Sequence, residues 1–358
     1  MSTKKFFTKD RVKNLSAYLL VIIAYVVVQI ISAGGGLPSM YKGLLVPICA
    51  YVVMALSLNL TVGILGELSL GHAGFMSVGA FTGVAISIAL RDSITAPWLL
   101  LLVAMVCGAI MAALFGVIIG IPVLRLKGDY LAIVTLAFGE IIKSLFTNLY
   151  LGIDPEGVLR IGLVNKPEEL ITGSKMLING ALGISGVQKI STFTAGVILI
   201  IVSLILIFNT VNSRTGRAVM AIRDNRIAAE CVGINVTKYK MIAFVMSAAI
   251  AGAAGTLYSL NYSTIAASKF DFNTSILILV FVVLGGQGNM IGSIIAATVL
   301  TILPEALREF ADYRMLVYAI VLIIIMLVTN NPTFKMFAEK IRSSLKKKKN
   351  KKTVKEGN

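Results

Sequence analysis

Long stretches without charge constrain this chain more than any other feature. The runs 17–33, 43–62, 97–121, 194–211 and 317–329 are nearly free of ionisable side chains. Most of them approach the roughly 20 residues that a helix needs to cross about 30 Å of hydrocarbon. A chain of 358 residues in which 57% are apolar and 14% charged has too little polar surface to cover soluble cores, so lipid is the expected solvent for most of it.

The first apolar run follows Lys4, Lys5, Lys9, Arg11 and Lys13 and ends near Ser32 and Ala33. That pattern fits a signal peptide or an uncleaved first span, and the many spans behind it favour the uncleaved helix. Cys49, Cys107 and Cys231 are far apart, without the paired spacing of a metal or redox motif, and read as packing residues.

The net charge of +16 is confined to three stretches. Residues 1–14 carry +4, residues 212–240 carry +4 and residues 335–358 carry +8, so everything else nets to zero. Loops rich in Lys and Arg stay in the cytoplasm. The loop 149–189 balances four acids against four bases and is expected outside. Spans near 15–33, 43–62, 70–90, 97–121, 129–148, 190–211, 241–262, 274–286, 289–303 and 315–330 give ten crossings with both ends inside. The expected fold is therefore an all-α polytopic transmembrane helical bundle of about ten spans. Because each half of 274–303 is short, eight spans plus a re-entrant pair satisfy the same parity. The domain reading is a basic cytoplasmic N-terminus at 1–14, a membrane domain at 15–330 and a lysine-rich cytoplasmic tail at 331–358.

The tail has no interleaved aromatics to stack bases, so it reads as a solvated anchor of orientation beside membrane lipid, with no nucleic-acid partner. No Gly-Lys dipeptide occurs, which removes the phosphate-binding loop an ATPase needs. His72 is the only histidine and there is no Gly-x-Ser-x-Gly elbow. The chain reads as non-catalytic, with no metal site.

Within 213–235, Asp224 or Asn225 can cap a short helix running through Val232, stopped by Gly233, with Ala228 and Ala229 as a small-residue face. Such a helix fits a groove on another protein, or it merely joins two spans. Two glycine-interrupted apolar stretches, 62–74 and 284–292, could break helices at membrane depth and line a pathway, or could serve close helix packing. Gly79-x-x-x-Gly83 and Gly116-x-x-x-Gly120 are plain packing motifs. Gly66, Ser69, Gly71, His72, Gly286, Gln287 and Asn289, with Thr135 and Glu140 in the span 129–148, are the candidate pathway residues. Glu140 inside a span needs a partner or water, and Lys143 at i+3 can supply the pairing. His72 beside glycines reads more readily as a hydrogen-bonded packing residue than as a proton carrier.

Several of these segments resemble one family. They are LSLGHAGF at 68–75, LRLKGDYLAIVTLAFGEI at 124–141, the stretch 213–235, Ala243-Phe244 to Leu257-Tyr258, and LGGQG at 284–288. Together they are similar to the second permease type of bacterial ABC importers for branched-chain amino acids, the high-affinity leucine-isoleucine-valine system. The glycine-containing segment 179–184 is a loose version of its family counterpart, and the lysine tail lies outside the family pattern. The resemblance implies a multi-pass protein of the bacterial cytoplasmic membrane that forms the translocation pathway for leucine, isoleucine or valine. It also implies two separate ATPase subunits that bind the ATP, a second homologous permease and an extracytoplasmic binding protein. Arg217, Asp224, Asn225, Ala228, Ala229, Glu230, Gly233, Ile234 and Asn235 carry over as the coupling loop that docks on the ATPase. Alternatives are a related permease for urea or short amides, a secondary transporter or channel using Glu140, Lys143 and His72 as a relay, and a non-transporting membrane scaffold.

Overall fold

The computed structural model describes residues 9–307 apart from 35, 37, 92, 127, 154–158 and 164–174, and isolated residues between 313 and 323. The expected span 315–330 and the lysine tail lie outside the described residues, apart from those isolated positions. The apolar runs, with the spans read at 70–90 and 129–148, form helices α1 (Lys9–Ala33), α2 (Ser39–Asn59), α3 (His72–Ala89), α4 (Pro97–Val123), α5 (Asp129–Thr147) and α6 (Phe193–Asn212). The basic stretch after α6 folds into α7 (Arg214–Asp224) and α8 (Arg226–Cys231), and the chain continues through α9 (Val236–Ser259), α10 (Phe272–Gly285) and α11 (Met290–Ala306).

Eight helices among the described residues are long and apolar enough to cross a membrane: Leu15–Ala33, Tyr41–Leu65, His72–Ala89, Pro97–Val123, Asp129–Thr147, Phe193–Asn212, Val236–Ser259 and Ala267–Gly285. Met290–Ala306 is apolar but shorter. The all-α polytopic bundle is thus what the chain forms. Two boundaries shift from the sequence reading. Asn235 accepts from the Lys238 amide and starts α9 at Val236, which draws Lys238 and Lys240 into the helix. At the same end of the bundle α2 runs on into a π-helical turn, Leu60–Leu65.

Residues Met1–Val299 form one compact unit, and Leu300–Asn358 a second in which the described part begins with the last turns of α11. In the first unit α3, α4 and α9 pack through small residues. A Cβ at Gly79 would lie 2.0 Å from the Gly252 carbonyl oxygen, and one at Gly108 would lie 2.2 Å from Thr256 Oγ1. Thr256 Oγ1 donates to the Gly79 carbonyl at 2.8 Å, tying α9 to α3. Gly116 and Gly120 face Ala248 and Met241 of α9, so both GxxxG motifs serve packing. Cys49 is buried against Gly196, whereas Cys231 is exposed and plays no packing role.

The loop after α5 is not all irregular. Strands β1 (Leu149–Ile153), β2 (Leu159–Leu163) and β3 (Lys175–Asn179) form an antiparallel sheet in the order β2-β1-β3. A short pair, β4 (Ile184–Ser185) with β5 (Thr264–Ile265), joins this loop to the one before α10. In that second loop, burial raises the Tyr262 phenol above its ordinary range, with the Tyr258 ring 5.0 Å away.

Candidate functional site

The two glycine-interrupted stretches, one from each half of the chain, meet. After α2, the π-helical turn ends at Gly66 in the left-handed region (φ 79°), and residues 66–71 are non-helical before α3 starts at His72. Between α10 and α11, Gly286 and Gly288 both have positive φ, 90° and 76°. A Cβ at Gly63 would lie 2.2 Å from the Gly288 nitrogen, so only glycine permits the contact. Asn59, fully buried, clamps the join: its Oδ1 accepts from the Gly288 amide at 2.7 Å and its Nδ2 donates to Ser293 Oγ at 2.8 Å. Gly285 and Gly292 press together to close the turn, and Asn289 Nδ2 donates to the Gly285 carbonyl at 3.3 Å. Gln287 is exposed.

The non-helical residues after Gly66 rest on α5. Thr135 Oγ1 accepts from the Leu70 amide at 3.0 Å and donates to Ala132 O at 2.9 Å. A Cβ at Gly71 would lie 2.0 Å from the Thr135 carbonyl. Ser69 Oγ is buried with no hydrogen-bond partner among the described residues. One turn further along α5, Glu140 is half-exposed, pairs with Lys143 at 3.1 Å and accepts from the Phe272 amide at the start of α10 at 3.2 Å. The ion pair expected from i,i+3 spacing is therefore present, and Glu140 also caps a neighbouring helix.

His72 is buried in a crossed hydroxyl network. Thr61 Oγ1 donates to Ser247 Oγ at 2.9 Å, Ser247 Oγ to the Ser57 carbonyl at 2.7 Å, and Ser57 Oγ to the Ser247 carbonyl at 2.6 Å. Each hydroxyl proton is thereby committed. The remaining contact, His72 Nε2 to Ser57 Oγ at 2.9 Å, requires the imidazole to donate from Nε2. This gives His72 a structural duty, joining α2, α3 and α9.

The basic stretch after α6 forms two capped helices. Ser213 accepts from the Gly216 amide to start α7, and Asn225 Oδ1 accepts from the Ala228 amide at 3.1 Å to start α8. Gly233, at φ 82°, ends the turn. Of the two residues expected to cap, it is Asn225 that does so, while Asp224 takes the Arg223 guanidinium at 3.0 Å. Arg226 pairs with Glu230 at 3.0 Å along α8, and Arg217 Nη1 donates to the Asn212 carbonyl at 3.3 Å. Ala229 faces inward, packed with Ile222 and Val236 and flanked by Ile234. It anchors α8 rather than presenting a face, because Ile222 and Val236 take that side of the helix. Two apolar residues that the sequence reading passed over, Ile227 and Val232, are 74% and 76% exposed. Both lie on a loop otherwise rich in charged side chains.

Two further contacts carry no signal in the sequence. Arg223 Nη1 donates to the Gly63 carbonyl at 3.1 Å, and Lys240 forms a buried ion pair with Glu67. Both join the basic stretch to the glycine break. Among the described residues no group of three His, Cys, Asp or Glu side chains could hold a metal ion.

Residues 40–327 match the family model for the permease component of branched-chain amino acid transport systems. The high-affinity branched-chain amino acid transport permease LivM of Escherichia coli K12 is 33% identical over 293 residues, covering 77% of this chain and 66% of that protein. This chain thus spans just under two thirds of the length of that relative. The LivH permease of the same strain is 26% identical over 288 residues, 78% of this chain and 89% of LivH. A nucleoside ABC transporter permease, NupC of Lactococcus lactis, is 24% identical over 247 residues, 65% of this chain and 70% of NupC. No solved structure matches the chain.

Proposed function

The chain belongs to the family of permease components of branched-chain amino acid transport systems, and from that premise we propose that it forms one half of the pore of an ABC importer. Its cargo is leucine, isoleucine or valine, handed over by an extracytoplasmic binding protein. A second, homologous permease supplies the other half of the pore, as the similarity to both LivM and LivH suggests. Two ATPase subunits bind and hydrolyse the ATP, and the chain itself does no catalysis. It resides in the bacterial cytoplasmic membrane, with 1–14, 212–240 and 331–358 on the cytoplasmic side and 149–189 outside.

The observation that carries this reading is the meeting of two broken helices at Gly63 and Gly288. Irregular backbone at membrane depth is tolerated where protein or water receives it, and the break holds the Ser69 hydroxyl, without a partner among the described residues, and the exposed Gln287. Gly66, Gly71, Gly286, Asn289, Thr135 and the half-exposed Glu140 complete the pathway side. Arg217, Asp224, Asn225, Ala228, Glu230, Gly233, Ile234 and Asn235 surround the ATPase-facing surface, to which Ile227 and Val232 add apolar anchors.

The test is reconstitution with the partner permease, the ATPase and the binding protein in vesicles. ATP-dependent leucine uptake that stops when the ATPase is omitted is the expected result. Gradient-driven uptake by this chain alone would sink the reading. The similarity to NupC favours nucleosides as the second reading, and competition between leucine and a nucleoside for uptake separates the two.

A further inference from the structure

The break and the basic loop touch at two places that bracket α8 in sequence. On the N-terminal side Arg223, near the end of α7, donates from Nη1 to the Gly63 carbonyl at 3.1 Å. Its stem lies flat on Gly66, where even a Cβ would come within 2.6 Å of Arg223 Cγ. On the C-terminal side Lys240, in the second turn of α9, pairs with Glu67. Both anchors land on the five residues 63–67, and the segment hung between them contains all of α8.

The local chemistry makes these contacts stiff. The Glu67 and Lys240 side chains are only 14% and 5% exposed, unlike the surface pairs Arg223–Asp224 and Arg226–Glu230. A buried pair stays closed because separating it strands two charges out of water. The receiving segment is irregular: a π-helical turn ending in a left-handed glycine lies outside the regular helical ladder, and such turns are frequent at functional sites. One of its carbonyls, Gly63 O, takes its hydrogen bond from the loop, and the same glycine touches Gly288 of the second break.

We propose that Arg223 and the Glu67–Lys240 pair are positioning residues that tie the cytoplasmic loop to the break, so that residues 63–67 move with α8 when α8 is displaced. This rests on the transporter reading above and adds the route by which ATPase motion reaches the pathway. Displacement of 63–67 is passed to the second break through the Gly63–Gly288 contact.

The experiment uses the complete complex in vesicles, with leucine uptake and ATP hydrolysis measured on the same preparation. Glu67→Gln, Lys240→Met and Arg223→Ala are each expected to lower uptake about tenfold while hydrolysis stays within roughly twofold, the size of effect seen along coupling networks. The exchanged pair, Glu67→Lys with Lys240→Glu, restores uptake, and Arg223→Lys retains part of it. A covalent tie gives an independent readout, because a Cβ at Gly66 would sit 3.6 Å from that of Arg223, within disulfide range. In a Cys231→Ser background, the pair Gly66→Cys and Arg223→Cys is expected to import poorly when reduced and to recover on oxidation. An oxidised pair no better than the reduced one overturns the proposal, as does a proportional fall of uptake and hydrolysis in the single variants without rescue by the exchange. If the unsubstituted complex shows no ATP-driven uptake, the functional reading falls and takes the tie with it. Normal wild-type uptake with fully coupled variants overturns the tie alone.

Discussion

The Gly288 amide donates to Asn59 Oδ1 at 2.7 Å, across 229 residues of sequence, while the other end of the same buried amide reaches Ser293. Asn59 therefore ties the second break and the first turn of α11 to the end of α2. Asn59→Leu keeps the volume, takes the acceptor from the Gly288 amide and leaves Ser293 Oγ with only its 3.3 Å bond to the Asn289 carbonyl, at a total cost of about 1–3 kcal/mol. Thermal unfolding in detergent is expected to show the drop. An unchanged midpoint would mean that the clamp contributes nothing.

Two glycines of the same continuous helical segment should respond in opposite directions. Gly63→Ala puts a methyl 2.0 Å from Asn59 Oδ1 and 2.2 Å from the Gly288 nitrogen, which forces the breaks apart. Gly43, within α2, has nothing within 4 Å of the position a methyl would take, so Gly43→Ala is expected to stabilise by about 0.5–1 kcal/mol through helix propensity. Yield of folded protein and unfolding midpoint for the two variants check the contrast.

On the basic loop, Ile227→Glu and Val232→Glu alter side chains that are mostly exposed, so the fold should be unmoved. If these residues seat on the ATPase, co-purification of the ATPase with the permease should fall sharply. Asn225→Ala removes the cap of α8 and is expected to cost about 1 kcal/mol locally, with a milder loss of ATPase binding. Full retention of the ATPase by both glutamate variants would place the docking surface elsewhere.

Glu140→Gln keeps an oxygen for the Phe272 amide and removes the charge opposite Lys143. A partly exposed pair contributes about 0–1 kcal/mol, so stability should hardly change. If Glu140 faces the pathway as proposed, uptake is expected to fall, because its carboxylate would meet the ammonium of a zwitterion. Unaltered uptake kinetics would confine Glu140 to capping α10.

On the face expected outside, Gly183 has φ 71°, and a Cβ there would lie 2.0 Å from the Ile265 carbonyl, beside the β4–β5 pair. Gly183→Ala is expected to unseat that pair. Basal ATP hydrolysis should persist while its stimulation by the binding protein is lost, and equal stimulation in the variant would count against a docking role for this face.

Features set by neighbouring residues were readable from the chain alone. The spans stand out as apolar runs, Asn225 and Gly233 bound a short helix by local chemistry, and the GxxxG glycines pack as their spacing implies. What depends on distant partners was not readable. Ala228 and Ala229 look equivalent in sequence, and only the positions of Ile222 and Val236 decide that Ala229 turns inward. Lys240 looks like one more positive charge of the loop until α9 is seen to begin at Val236 and carry it to Glu67. The two glycine stretches are visible as breaks, but their contact joins residues 225 positions apart, which no local pattern encodes.

The small-residue seam of α3, α4 and α9 has a consequence for how the protein is made. Gly79 and Gly83 of α3 pack against Gly252 and Thr256, which the ribosome adds some 170 residues later. Until then the glycine face of α3 has no partner from α9, and lipid offers no comparable fit. Insertion of the early spans and completion of their packing are therefore separate events in time. The newly made α9 must slide between helices already in the bilayer, so a chain stalled before residue 259 should be a ready substrate for membrane quality control.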